Sequence, residues 1–222
     1  MISLLLGGLS TSVTSLGPVV TKVASSLLTK LPEIVEVALK VSKVISSVVQ
    51  SVAEIQGLSP HGEDVEELGF KAMQEGTRAK MEDESMEDYL NYLRNEVSVD
   101  KTKFQALSEE DKLKCNVMGT GMLSQSISEK SGLEISGDFL LDMHKMKMSG
   151  EQLSKYIDAF SEKGVDSLDE LTQYLRGELN DKESTKIEAI IKTVEKASNP
   201  SLSDGEVLLK MDDMKHAIEE KL

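Results

Sequence analysis

Three histidines, one cysteine and three arginines are the side chains of this 222-residue chain scarce enough for their placement to carry chemical information. His61, His144 and His216 lie far apart, and no pair stands three or four residues apart on a helix, the spacing that would turn two imidazoles toward one metal ion. Cys115 stands alone, which excludes a disulfide framework and any cysteine-based zinc or iron–sulfur site. No base accompanies it, so it reads as a buried, idle thiol. Met118-Gly-Thr-Gly-Met122 is glycine-rich but lacks the lysine and the preceding strand of a phosphate-binding loop. No Gly-x-Ser-x-Gly elbow occurs. Carboxylate pairs are plentiful, but 39 acids on a helical surface create such pairs without design. The expectation is a protein that is not an enzyme and holds no metal or cofactor.

The stretch from Ala159 to Glu170 resembles an EF-hand loop in one respect. With Glu170 at the last loop position, Gly164 falls on the sixth, where a glycine turns the chain. The first, third and fifth positions would then be Ala159, Ser161 and Lys163, so the carboxylate ligands are missing. The counterpart in an earlier, related stretch has Glu82 in place of the glycine. Calcium binding is not expected.

Behind these scattered groups lies an internal duplication. Ser85-Met-Glu-Asp-Tyr-Leu-Asn-Tyr-Leu-Arg-Asn-Glu-Val97 recurs as Ser167-Leu-Asp-Glu-Leu-Thr-Gln-Tyr-Leu-Arg-Gly-Glu-Leu179. A second block, 100–107, matches 181–190, and a third, 137–147, matches 205–215. Two copies make a duplicated unit rather than an open solenoid. Every block has the apolar spacing of a helix, and Ser85, Ser149, Ser167 and Ser203 each precede an acid or Gln by three residues, the capping-box spacing. Arg94 and Arg176 occupy the same place in the two copies. Their structural role would be pairing with a nearby carboxylate; their functional role would be a bidentate recognition contact presented twice.

Ahead of the repeats runs a seam. Val20, Ala24, Leu27, Leu31, Ile34, Ala38, Val41, Ile45, Val48, Val52 and Ile55 step alternately by four and three, the repeat of a coiled coil. Val37, Val44 and others widen the apolar surface, and Pro32 should start a new helix or kink a longer one. Leu27, Leu31, Ile34, Ala38, Val41, Ile45, Val48, Val52 and Ile55, with Arg94 and Arg176, are the candidate partner-binding residues. The same surface could instead pack on the rest of the chain.

Composition fits this division. Residues 1–60 hold four Lys and three Glu (net +1), which leaves 21 basic and 36 acidic groups beyond them (net −15). A formal charge of −14 argues against nucleic acid as a partner, since phosphate contacts need clustered Lys and Arg. Eight aromatic residues and four prolines argue against a β-sandwich or barrel. The fold class is therefore all-α: an apolar N-terminal helix or helical pair over 1–57 and a linker at 58–61. A duplicated acidic helical-bundle module follows over 62–148 and 149–222.

Residues 1–21 are uncharged, but no Lys or Arg precedes Met1–Leu6 as a signal peptide requires, and Ser, Thr, Gly and Pro fill half the window a membrane span would need. The expected location is cytoplasmic, with leaderless export open. These features describe a helical assembly, adaptor or cargo-binding protein whose seam docks on partner helices or on itself, such as a substrate or accessory component of a bacterial secretion system. The competing reading is a membrane-active, pore-forming helical protein that inserts residues 2–55.

Overall fold

Helix starts are written into the chain as short side chains that accept from free backbone N–H groups. The computed structural model describes residues 16–220, and the first fifteen residues, including part of the uncharged N-terminal run, lie outside that description. Among the described residues the protein is all-helical, with eleven helices and no strand. Pro18 opens α1 (Pro18–Lys30) at its first turn, where a missing N–H costs nothing. The chain breaks at Leu31–Ile34, around Pro32, and resumes as α2 (Val35–Ile55). Asp64 caps α3 (Val65–Met73), Ser85 caps α4 (Met86–Glu96), and Asp100 caps the five-residue α5 (Lys101–Gln105). Ser108 caps α6 (Glu109–Ser131), Ser136 caps α7 (Gly137–Lys145), and Ser149 caps α8 (Gly150–Glu162). The last three helices are α9 (Asp169–Arg176), α10 (Asp181–Ser198) and α11 (Asp204–Glu219). Full capping boxes at Asn180–Glu183 and Ser203–Glu206 start α10 and α11.

The middle of the molecule is α6. It packs against α1, α2, α3 and α4, and its buried residues run from Leu113 to Ile127 with no polar stripe. Small residues make that possible. A side chain at Gly119 would overlap the Val65 carbonyl oxygen of α3, and one at Gly69 of α3 would overlap the Cys115 carbonyl of α6. The two glycines let the helix backbones touch. On the neighbouring side, the Asn116 amide donates to the Ser46 hydroxyl of α2 at 3.1 Å. The Met118–Met122 stretch is thus helix, and its glycines serve helix crossing.

A second tier of α7–α11 closes the structure. α1 lies on α7, α2 on α8, and α10 and α11 pack on α8 and α7 respectively. The loops before α7 and α9 meet at Glu134: its N–H donates to the Asp166 carbonyl at 2.8 Å, and its carbonyl accepts from Leu168 N–H at 3.0 Å. Ser167 also donates to the Glu134 carbonyl, so α9 starts at Asp169 without a side-chain cap of the Ser85 kind. Here the expected twin caps differ. The repeated blocks also take different neighbours, since α4 sits on α3 and α6 whereas α9 sits on α7, α10 and α11. One cluster of buried apolar side chains, from Leu16 to Met211, draws on all three sequence segments.

Candidate functional site

A helix that carries apolar residues all around must hide them or present them. Along α2 the 3.5-residue seam divides. Ala38, Ile45 and Val52 point inward and are fully buried, and Leu27 and Leu31 of the preceding turn are buried with them. These five candidate partner-binding residues are closed off by α6, α7 and α8, because the chain's own helices cover that side. Ile34, Val41, Val48 and Ile55 fall on the other side, joined by Val37 and Val44. Ile34 is 67% exposed, Val44 49% and Ile55 56%, while Val41 and Val48 are half-buried. The outer residues keep the alternating spacing of three and four, broken once by Ser51, against which the N-terminal Gly150 of α8 is seated.

The stripe runs into a cavity of about 190 Å³ between α2 and the end of α7, lined by Val44, Ile45, Val48, Met143, His144 and Met148 and edged by Lys147. The His144 Nδ1 makes no hydrogen bond to the protein, and burial pushes its imidazole pKa below the ordinary value. Lys147 holds a left-handed backbone (φ 53°), the one non-glycine residue among those described to do so. That conformation costs a residue with a Cβ roughly 1–2 kcal/mol. It closes α7: Lys147 N–H donates to the His144 carbonyl at 3.0 Å, and Met148 N–H to the Met143 carbonyl at 3.1 Å. Lys40, Lys43 and Lys147 flank the apolar stripe together with the exposed Glu33 and Glu36, so its edge carries charges of both signs. Lys40 pairs with Glu36 and Lys43 with Glu66, both well exposed lysines whose pairs contribute little to stability.

On its far side Lys147 edges a polar groove of about 390 Å³ that includes Gln152, Glu195 and Lys210. Glu195 is buried and accepts from Tyr156 at 2.9 Å, Gln152 at 2.9 Å and Lys210 at 2.8 Å. Burial pushes its carboxyl pKa up, but Lys210, Tyr156 and Gln152 together outweigh that and hold it below the ordinary value. Burial first, then the charge of Glu195 and the hydrogen bond to it, raise the Tyr156 phenol. Every polar atom of the Glu195 carboxylate is engaged, so this cluster ties α8, α10 and α11 together.

The paired arginines are both tied down. Arg94 grips Glu63 with two bonds of 2.6 and 2.8 Å and also donates to the Leu58 carbonyl at 3.0 Å, holding the 58–61 linker to α4. Arg176 pairs with Asp142 of α7. Neither partner is close to its arginine in sequence, and the two carboxylates do not occupy matching places in the related blocks. Cys115 is buried and its thiol is pushed up to about 12 by burial. Among the described residues no group of three or more His, Cys, Asp or Glu could hold a metal ion.

Sequence reasoning registered Val37 and Val44 as extra apolar width, weighed His144 only as a metal ligand, and did not single out Lys147 or Met148. The turn that brings the last two to α2 has no periodic signal. What this side of α2 offers chemically, with the end of α7 beside it, is apolar contact, an edge of mixed charge and the ring nitrogen of His144. No protein-family model, curated protein or solved structure matches the chain.

Proposed function

We propose that the protein is a non-enzymatic helical assembly or adaptor protein that docks an amphipathic helix on the outer face of α2. One observation carries the reading: Ile34, Val37, Val44 and Ile55 are exposed along one side of α2, at spacings that put them on one helical flank beside the half-buried Val41. A globular chain that needed α2 only for its core would place polar residues there. The mixed edge of Lys40, Lys43 and Lys147 with Glu33 and Glu36 favours a partner helix whose apolar stripe is flanked by charges of both signs.

Removing residues 1–57 cannot test this, because α1 and α2 supply a large part of the core. The test leaves the chain whole. Native protein and a Val37→Asp/Val44→Asp variant serve as bait in the same native extract, with retained proteins identified by mass spectrometry. The reading expects a partner held by the native chain and reduced at least tenfold on the variant. Identical sets would sink it.

A bilayer surface is the other occupant with matching chemistry, since an apolar stripe edged by lysines suits anionic lipid. No described helix is long and apolar enough to cross a membrane. Flotation of the native chain, and not the variant, with anionic vesicles would move the assignment to that reading.

A further inference from the structure

Two unfavourable features of the fold meet at the wall of one cavity. The first is His144, whose Nδ1 lies below the surface and makes no hydrogen bond within the chain. A polar atom buried in that way has given up its hydration for nothing. The second is the left-handed backbone of Lys147 at the cavity's edge, a conformation that a glycine would hold without strain. Buried orphan groups and strained residues gather where a protein binds something. Beside them lies a space of about 190 Å³ whose remaining walls, Val44, Ile45, Val48, Met143 and Met148, are apolar. An engineered protein cavity of about 150 Å³ with an apolar lining takes up benzene.

We infer that the cavity between α2 and the end of α7 binds a small uncharged molecule, about one ring in size, whose apolar body carries a single O–H or N–H donor for His144. The volume limits the ligand to a six-membered ring with a small substituent. Aliphatic and thioether walls favour an apolar body. Lys147, the one residue of the lining that is charged at neutral pH, stands exposed at the edge, so a charge on the ligand would lose water and gain little. Burial keeps the imidazole uncharged at neutral pH, and with its single proton on Nε2 the Nδ1 is a bare acceptor. Met143 and Met148 share the wall with His144, and their unbranched chains shift at little cost to let the donor reach the ring. The site goes beyond the docking reading and does not depend on it.

The test titrates the full chain with phenol and with toluene, which share a ring and differ by a hydroxyl against a methyl group. Binding is followed by NMR at the methyl carbons of Met143 and Met148, assigned from Met143→Leu and Met148→Leu. Toluene leaves water more readily, so a hollow with no polar role would prefer it. The inference expects both methyl signals to move with phenol, and phenol to bind at least tenfold more tightly than toluene. His144→Phe, which keeps a ring and removes both nitrogens, should reverse that order. Circular dichroism checks the variant's fold; if the fold is lost, the order of the two ligands on native chain decides alone.

Methyl signals that stay in place with both ligands up to their solubility overturn the inference. So does toluene that binds as tightly as phenol, or a folded His144→Phe variant that still prefers phenol. None of these outcomes bears on the capture experiment, so failure here leaves the docking reading as it stands.

Discussion

α2 and α6 are the two longest helices, 21 and 23 residues, and they lie against each other, yet they solve opposite problems. α6 has neighbours on every side, and its composition is set by how closely they approach: Gly119 where α3 crosses, Gly121 where Val20 of α1 leans in, Asn116 where α2 offers a hydroxyl. α2 is fully covered on its inner side, and its outer side, met only by the start of α8 and the end of α7, still carries exposed apolar residues. The glycines and the buried apolar residues of α6 have their reasons inside the chain. The outer residues of α2 do not, and that surplus is what points outward.

The contrast can be broken at its strong end first. Gly119→Val should be the most damaging substitution, because even a methyl group meets the backbone of α3 and overpacking costs about 3 kcal/mol or more where nothing can give. Urea denaturation checks it, and a loss under about 1 kcal/mol would show that the crossing of α3 and α6 is looser than described. Next comes the inner face of α2. Ile45→Ala should cost about 2–5 kcal/mol, the range for emptying a buried aliphatic site.

Smaller still is the edge of the cavity between α2 and α7. The folded pKa of His144 lies below its ordinary value, so the unfolded chain takes up a proton that the folded chain refuses. Stability should therefore be fullest above about pH 6.5 and decline as pH falls through that value, and His144→Gln should flatten this part of the profile in thermal melts. The same decline in the variant would remove His144 as its source. Last, Val37→Asp/Val44→Asp should shift folding stability by no more than about 0.5 kcal/mol per site, as exposed substitutions do. A loss as large as that of Ile45→Ala would mean that the outer face is core after all, and the comparison would collapse.

Why one of these helices was legible and the other was not follows from the same contrast. A periodic pattern exists only where a helix has two different sides. The seam from Val20 to Ile55 shows helical spacing plainly, and the serines at 85, 149 and 203 mark real helix starts. α6 has no polar side, so its middle offers no period, and its glycines look like a loop. The division of the seam was hidden for a different reason. A 3.5-residue repeat is the same whether the covering helix belongs to the chain or to another molecule, and only placement separates Ala38, Ile45 and Val52 from Ile34, Val41 and Ile55. The likeness of the sequence blocks did not extend to their surroundings: matching Ser85 with Ser167 and Leu140 with Leu208 predicts matching environments, but the loop bridge at Glu134 takes one serine and α11 leaves one leucine exposed. Arg94 and Arg176 found carboxylates distant in sequence, which no local reading could name.

The crossing of α3 over α6 also gives the protein a chemical clock. Cys115 lies at it, buried, and burial pushes its thiol up to about 12, so a thiol reagent in neutral solution should label it slowly while the two backbones remain in contact. Each labelled molecule records one separation of the helices. Followed over time and across denaturant, the rate of labelling reads the free energy of that single opening, and tells whether the centre of the fold yields alone or only when the whole chain unfolds.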